Sequence, residues 1–111
     1  MANFQHQSLS AGRWLTLSLA EQLGNIGSEV QRVAHSRGDE KRFNMSIIRA
    51  LELFDLTIGD KRWKKRLKEL ARVREVFCNA AYNGKEYEVI FEDLERYFYY
   101  FIYSARLQRT I

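Results

Sequence analysis

Apolar positions recur along this chain mostly at intervals of three and four, the spacing that lines up one face of an α-helix. Leu19, Leu23, Ile26, Val30 and Val33 form a first stripe, with Ala20, Gly27 and Ala34 beside it. Phe43, Ile47, Ala50, Leu51, Phe54 and Ile58 form a second, and Trp63, Leu67, Leu70 and Phe77 a third. The fourth is Tyr87, Phe91, Leu94, Phe98, Phe101 and Ala105. The alternation of period two that marks strands is not sustained.

Polar and glycine punctuation separates the stripes. Ser18-Leu19-Ala20-Glu21 fits a capping box, in which hydroxyl and carboxylate satisfy orphan backbone N–H groups. The first helix is therefore predicted to begin between Thr16 and Ser18 and to run to about Ser36. Arg37-Gly38-Asp39 reads as a stop and restart, with glycine suited to a left-handed C-terminal cap and Asp39 to the next N-cap. A second helix follows over about 40–58. Gly59-Asp60 repeats the punctuation, a third helix runs from 61 to about 82, Asn83-Gly84 closes it, and a fourth spans about 86–108. Helices of roughly twenty residues, each about 30 Å long, with connections this short predict an all-α, antiparallel up-down-up-down four-helix bundle. It occupies residues 13–111 behind a flexible tail, 1–12. Gly24 and Gly27 each cost the first helix about 1 kcal/mol relative to alanine, so they suggest either close approach of a neighbouring helix or a local kink.

Composition agrees with this pattern. With 111 residues the chain has one core, and 46% hydrophobic and 29% charged residues without any proline favour long helices. The first twelve residues lack the basic start and apolar run of a signal peptide. The longest uncharged apolar stretch, 97–105, falls far short of the roughly twenty residues that span a bilayer. A soluble, cytoplasmic protein with no membrane partner is expected. The single Cys78 cannot form an internal disulfide and reads as a small buried hydrophobe in a reducing compartment.

Charge changes the picture most. The stretch 61–74 holds eight of the eighteen Lys and Arg residues and one acid, Glu69, so it carries +7 while the whole chain carries only +4. On a continuous helix with Leu67 as the core reference, Lys61, Lys65, Lys68 and Arg72 form one outer ridge, and Lys64 and Arg66 flank the core stripe with their stems. With Arg62 they make the candidate nucleic-acid-binding set. A ridge of this kind would contact RNA or DNA through phosphates rather than read bases; a merely solvated face is the alternative. Arg74 falls near the middle of the apolar stripe and calls for an acid such as Glu29 or Asp55, most simply as an internal ion pair.

The fourth helix has too many aromatics for one face. Tyr97, Phe98, Tyr99, Tyr100, Phe101, Ile102 and Tyr103 surround it, and helices apolar all round are usually buried all round. Tyr100, Tyr103 and Leu107 make a second ridge opposite Phe98 and Phe101. Contact between subunits is expected there, with solvated tyrosines or stacking platforms for bases as the alternative.

Catalytic signals are lacking. His6 and His35 have no obvious ligand set, no Glu-x-x-His pair suggests a di-iron site, and neither a glycine-rich phosphate loop nor zinc spacing occurs. Arg32-Val33-Ala34-His35 has the Arg and His of helical ribonucleases of the HEPN type, but at a shorter separation than theirs. A nonenzymatic protein without metal or cofactor is expected.

Three blocks carry a resemblance: Leu19-Ala20-Glu21-Gln22-Leu23-Gly24-Asn25-Ile26-Gly27-Ser28-Glu29-Val30, Arg49-Ala50-Leu51-Glu52-Leu53-Phe54-Asp55-Leu56-Thr57-Ile58, and Arg66-Leu67-Lys68-Glu69-Leu70-Ala71-Arg72-Val73-Arg74-Glu75-Val76-Phe77. Across roughly residues 14–107 the chain resembles small bacterial four-helix proteins that include the accessory variability determinants of diversity-generating retroelements and proteins encoded in intervening sequences of large ribosomal RNA genes. The resemblance implies a homopentamer with a positively charged surface that binds a retroelement reverse transcriptase and its template RNA and assists mutagenic retrohoming. A protein-protein adaptor whose basic ridge meets an acidic partner is the second hypothesis.

Overall fold

The computed structural model describes residues 11–83 and 87–110. Its elements are α1 (Ala11–Trp14), α2 (Leu19–His35), α3 (Glu40–Ile58), a 3-10 segment (Lys61–Arg66), α4 (Leu67–Asn83) and α5 (Tyr87–Thr110). No strand occurs among the described residues. Most of the expected tail lies outside the described residues, but Ala11 and Gly12 belong to α1.

The caps sit where the residue types place them. Ser18 Oγ accepts from Glu21 N at 3.1 Å while Ser18 N donates to Glu21 Oε1 at 2.9 Å, a complete capping box at the start of α2. Gly38 has φ of +110°, a conformation that L side chains rarely adopt. Asp39 then caps α3 by accepting from Arg42 N.

The third helix departs from expectation. Asp60 accepts from the backbone N–H of Arg62, only two residues on, and the chain winds as 3-10 helix until Leu67. Trp63 leaves helical geometry altogether, at φ −103° and ψ 23°. Its indole N–H reaches Gln22 Oε1 on α2 at 2.9 Å, so a tertiary contact accompanies the break in what the sequence reads as one helix.

The third stripe holds from Leu70 onward: Leu70, Phe77 and Ala80 are buried, Val73 and Val76 pack against them and Trp63 packs against the core, whereas Leu67, expected in the core, is 43% exposed. The other stripes hold. Leu23, Ile26, Val30 and Val33 of α2, Ile47, Ala50 and Phe54 of α3, and Phe91, Leu94, Phe98, Phe101 and Ala105 of α5 are all buried. Tyr87 lies outside the described side chains.

α2 packs on both α3 and α5, and α4 packs on the same two helices. Phe54 joins three of these elements, with ring centroids 5.6 Å from Phe77 and 6.1 Å from Phe98, and Phe77 continues to Phe91 at 6.2 Å. The α2 glycines face α5. A Cβ on Gly27 would stand 2.6 Å from Phe98 Cβ, and one on Gly24 would stand 3.5 Å from Ile102 Cα. Close approach thus requires glycine at Gly27, whereas Gly24 meets α5 only at ordinary contact distance.

Candidate nucleic-acid interface

A buried polar network fixes the basic stretch to the bundle. Gln22 has no exposed surface, and its amide donates to Trp14 O and to Asp60 Oδ2, both at 2.9 Å, while accepting from Trp63. Trp14, equally buried, donates its indole N–H to Thr57 Oγ1 at 2.9 Å. Asp60 receives the Arg62 guanidinium at 2.7 Å, and the same Nη2 donates to Leu17 O. Arg62 also lies 4.4 Å over the Trp63 ring. Its hydrogen bond is the main reason that the Asp60 carboxyl is held down at about 2 despite burial, which acts in the opposite direction. The guanidinium is correspondingly raised by Asp60.

Arg66 is engaged in a second cluster. It forms a forked pair with Glu69, at 3.0 and 2.8 Å from Nη2 to the two carboxylate oxygens. Tyr97 of α5 donates its hydroxyl to Glu69 Oε2 at 2.5 Å. Arg66, helped by Tyr97, lowers Glu69 against the effect of burial. Burial first, and then the bond to Glu69, raises the Tyr97 phenol above its usual range. The cluster ties the start of α4 to α5.

The seven candidate bases therefore divide. Arg62 and Arg66 hold the protein together. Lys61, Lys64, Lys65, Lys68 and Arg72 are exposed and make no ion pair among the described residues. They do not lie on one continuous α-helical ridge: Lys61, Lys64 and Lys65 project from the 3-10 turn, Lys68 and Arg72 from α4. The result is an irregular cationic edge over positions 61–72.

Tyr100, Tyr103 and Leu107 are 66%, 54% and 47% exposed on the outer side of α5, and Tyr99 joins them at 65%. Arg74 pairs with Asp55 at 3.0 Å, one of the two acids expected for it. Both side chains are substantially exposed, so the cost of a buried guanidinium does not arise and the pair contributes about 0–1 kcal/mol. Glu29, the other candidate, is buried and pairs with Arg32.

Sequence reasoning missed Trp14, Gln22 and Asp60 as a unit. The available signal was Gln22 itself, a polar residue between Leu19 and Ile26 on an apolar face. Its partners lie 8, 38 and 41 positions away, beyond any local pattern.

Among the described residues no group of three or more His, Cys, Asp or Glu could hold a metal ion. His35 is exposed in the last turn of α2, and Cys78 is half-buried with its sulfur 3.9 Å from Arg74 Nη1. No described helix is long and apolar enough to cross a membrane. No family model, curated protein or solved structure matches this chain.

Proposed function

We propose that this chain is a nonenzymatic nucleic-acid-binding protein that engages phosphates through its cationic edge. One observation carries the reading: between positions 61 and 72 five basic side chains stand exposed without an ion pair among the described residues. A face built only for solubility would mix signs, and the one acid here, Glu69, is occupied by Arg66 and Tyr97. The resemblance of the α2, α3 and α4 blocks adds the partner, a retroelement reverse transcriptase with its RNA template, to which the protein would be an accessory. The neighbour relations of α2 to α5 and the short links between α2, α3 and α4 support an up-down-up-down order.

Changing Lys61, Lys65, Lys68 and Arg72 to Gln tests the reading by fluorescence anisotropy with labelled duplex DNA and RNA. Each phosphate that the variant no longer neutralises removes about 0.9 from the slope of log affinity against log salt on duplex DNA. The expected outcome is weaker binding and a flatter slope with unchanged helicity. Parental affinity and slope in the variant would reduce the edge to a solvated face. Loss of association with an acidic protein, with nucleic-acid binding intact, would make the chain an adaptor instead.

A further inference from the structure

A concavity on α3 gathers charge of mostly one sign. Lys41, Arg42, Met45 and Arg49 line it together with Asp39, and its volume is about 280 Å³. Spacing explains the set: Arg42, Met45 and Arg49 follow one another at three and four, and Lys41 lies four before Met45, so one face of α3 presents three cations around a thioether. Lys41 and Arg42 are exposed, Arg49 is half-buried, and none of the three makes an ion pair among the described residues. The one acid in the lining, Asp39, is engaged with backbone, its Oδ1 accepting from Arg42 N at 3.2 Å. No base of the 61–72 edge lines this concavity.

Size and charge together restrict the ligand. Sites that enclose drug-sized molecules run to roughly 300–1,000 Å³, so this one suits a single small group. A phosphate monoester carries about −1.5 to −2 at neutral pH and three strong acceptor oxygens, which answers three cations offset by one acid. Arg42 and Arg49 can each present paired N–H donors to such a group, with Lys41 as a point charge. A phosphodiester or a carboxylate brings a single charge and leaves cations unmatched.

We infer that this concavity binds a phosphate monoester, the group carried by a 5′-phosphorylated strand end or by a small free phosphate. The site shares no residue with the 61–72 edge, so it goes beyond the proposed function and the two stand or fall separately. The test uses the parent and the Lys41→Gln/Arg42→Gln variant, whose side chains are exposed and whose cap at Asp39 is made by the Arg42 backbone; helicity stays unchanged. Two probes are used: inorganic phosphate, followed by the amide NMR signals of residues 41, 42, 45 and 49, and a labelled oligonucleotide with a 5′-phosphate beside its 5′-hydroxyl twin, followed by anisotropy. For a strand end, the parent prefers the phosphorylated twin roughly tenfold, the scale of one hydrogen-bonded charge, and the variant loses the preference. For a free phosphate, the twins bind alike, and inorganic phosphate moves these amides in the parent but not in the variant. The inference is overturned if the twins bind alike and phosphate does no more than chloride at equal ionic strength, or if the phosphate response persists in the variant. Hexaglutamate acting on the same amides at lower concentration than phosphate also overturns it, in favour of an acidic peptide. If the parent binds neither twin, the proposed function fails while the phosphate titration still decides the concavity.

Discussion

Two glycines three residues apart in α2 respond to alanine with opposite signs. Helix propensity alone favours both substitutions by about 1 kcal/mol, chiefly because alanine has fewer unfolded conformations to lose. At Gly24 the added methyl would meet Ile102 Cα at 3.5 Å, Phe101 O at 3.6 Å and Ala105 Cβ at 3.7 Å, ordinary contact distances. Propensity wins there, and Gly24→Ala gains up to about 1 kcal/mol, some 4–8 °C in Tm for a domain of this size. At Gly27 the methyl would lie 2.6 Å from Phe98 Cβ and 3.1 Å from its Cγ. Phe98 Cβ is anchored to the α5 backbone and the ring is wedged against Phe54 and Tyr97, so the helices must separate. Overpacking of this kind costs about 1–3 kcal/mol, which exceeds the propensity gain; the net loss is on the order of 1 kcal/mol or more. Thermal and urea denaturation of the two variants beside the parent decide the matter. Stabilisation by Gly27→Ala, or equal destabilisation by both, would refute the close approach of α2 and α5 on which the core is built.

The polar network makes further predictions. Asp60 is depressed from 3.8 to about 2, so its contribution is fully present above 3.8 and disappears as pH falls through 2; the shift corresponds to about 2 kcal/mol. Urea midpoints between pH 4 and pH 2 should fall less in Asp60→Asn than in the parent, and parallel profiles would show that the Arg62 pair does not stabilise the fold. Gln22→Leu leaves the Trp63 indole N–H without its partner and takes one donor from Asp60, while Trp14 O keeps its bond from Leu17 N, a loss of about 1–3 kcal/mol that should shift tryptophan emission to the red; an unchanged spectrum and stability would contradict the network. Tyr97→Phe removes one of the two groups that lower Glu69, so carboxyl NMR titration should place Glu69 higher in the variant than in the parent, and an unmoved titration would dissolve the α4–α5 tie.

Features that depend on near neighbours were legible in the chain alone. A capping box is complete within four residues, Gly38 and Asp39 fix a turn from their own backbone and side-chain chemistry, and the apolar spacing of α2, α3 and α5 identifies most of the buried side chains. Even Gly24 and Gly27 announced a close neighbour, although not that it is α5. The start of the third helix was settled by packing instead. Trp63 bonds to a glutamine 41 positions earlier, and with Asp60 capping a tight turn the chain gives up one stretch of regular helix, so that the basic residues do not share the continuous ridge the sequence predicts. The same holds for the division of the basic side chains. Lys61 and Arg62 are equivalent in a charge count, yet the first makes no ion pair among the described residues while the second is locked to Asp60, Leu17 and Trp63, because an ion pair depends on which groups the packed helices bring within a few ångströms. The tie between Glu69 and Tyr97 has the same origin: the two are twenty-eight positions apart in sequence and adjacent only once α4 and α5 are packed.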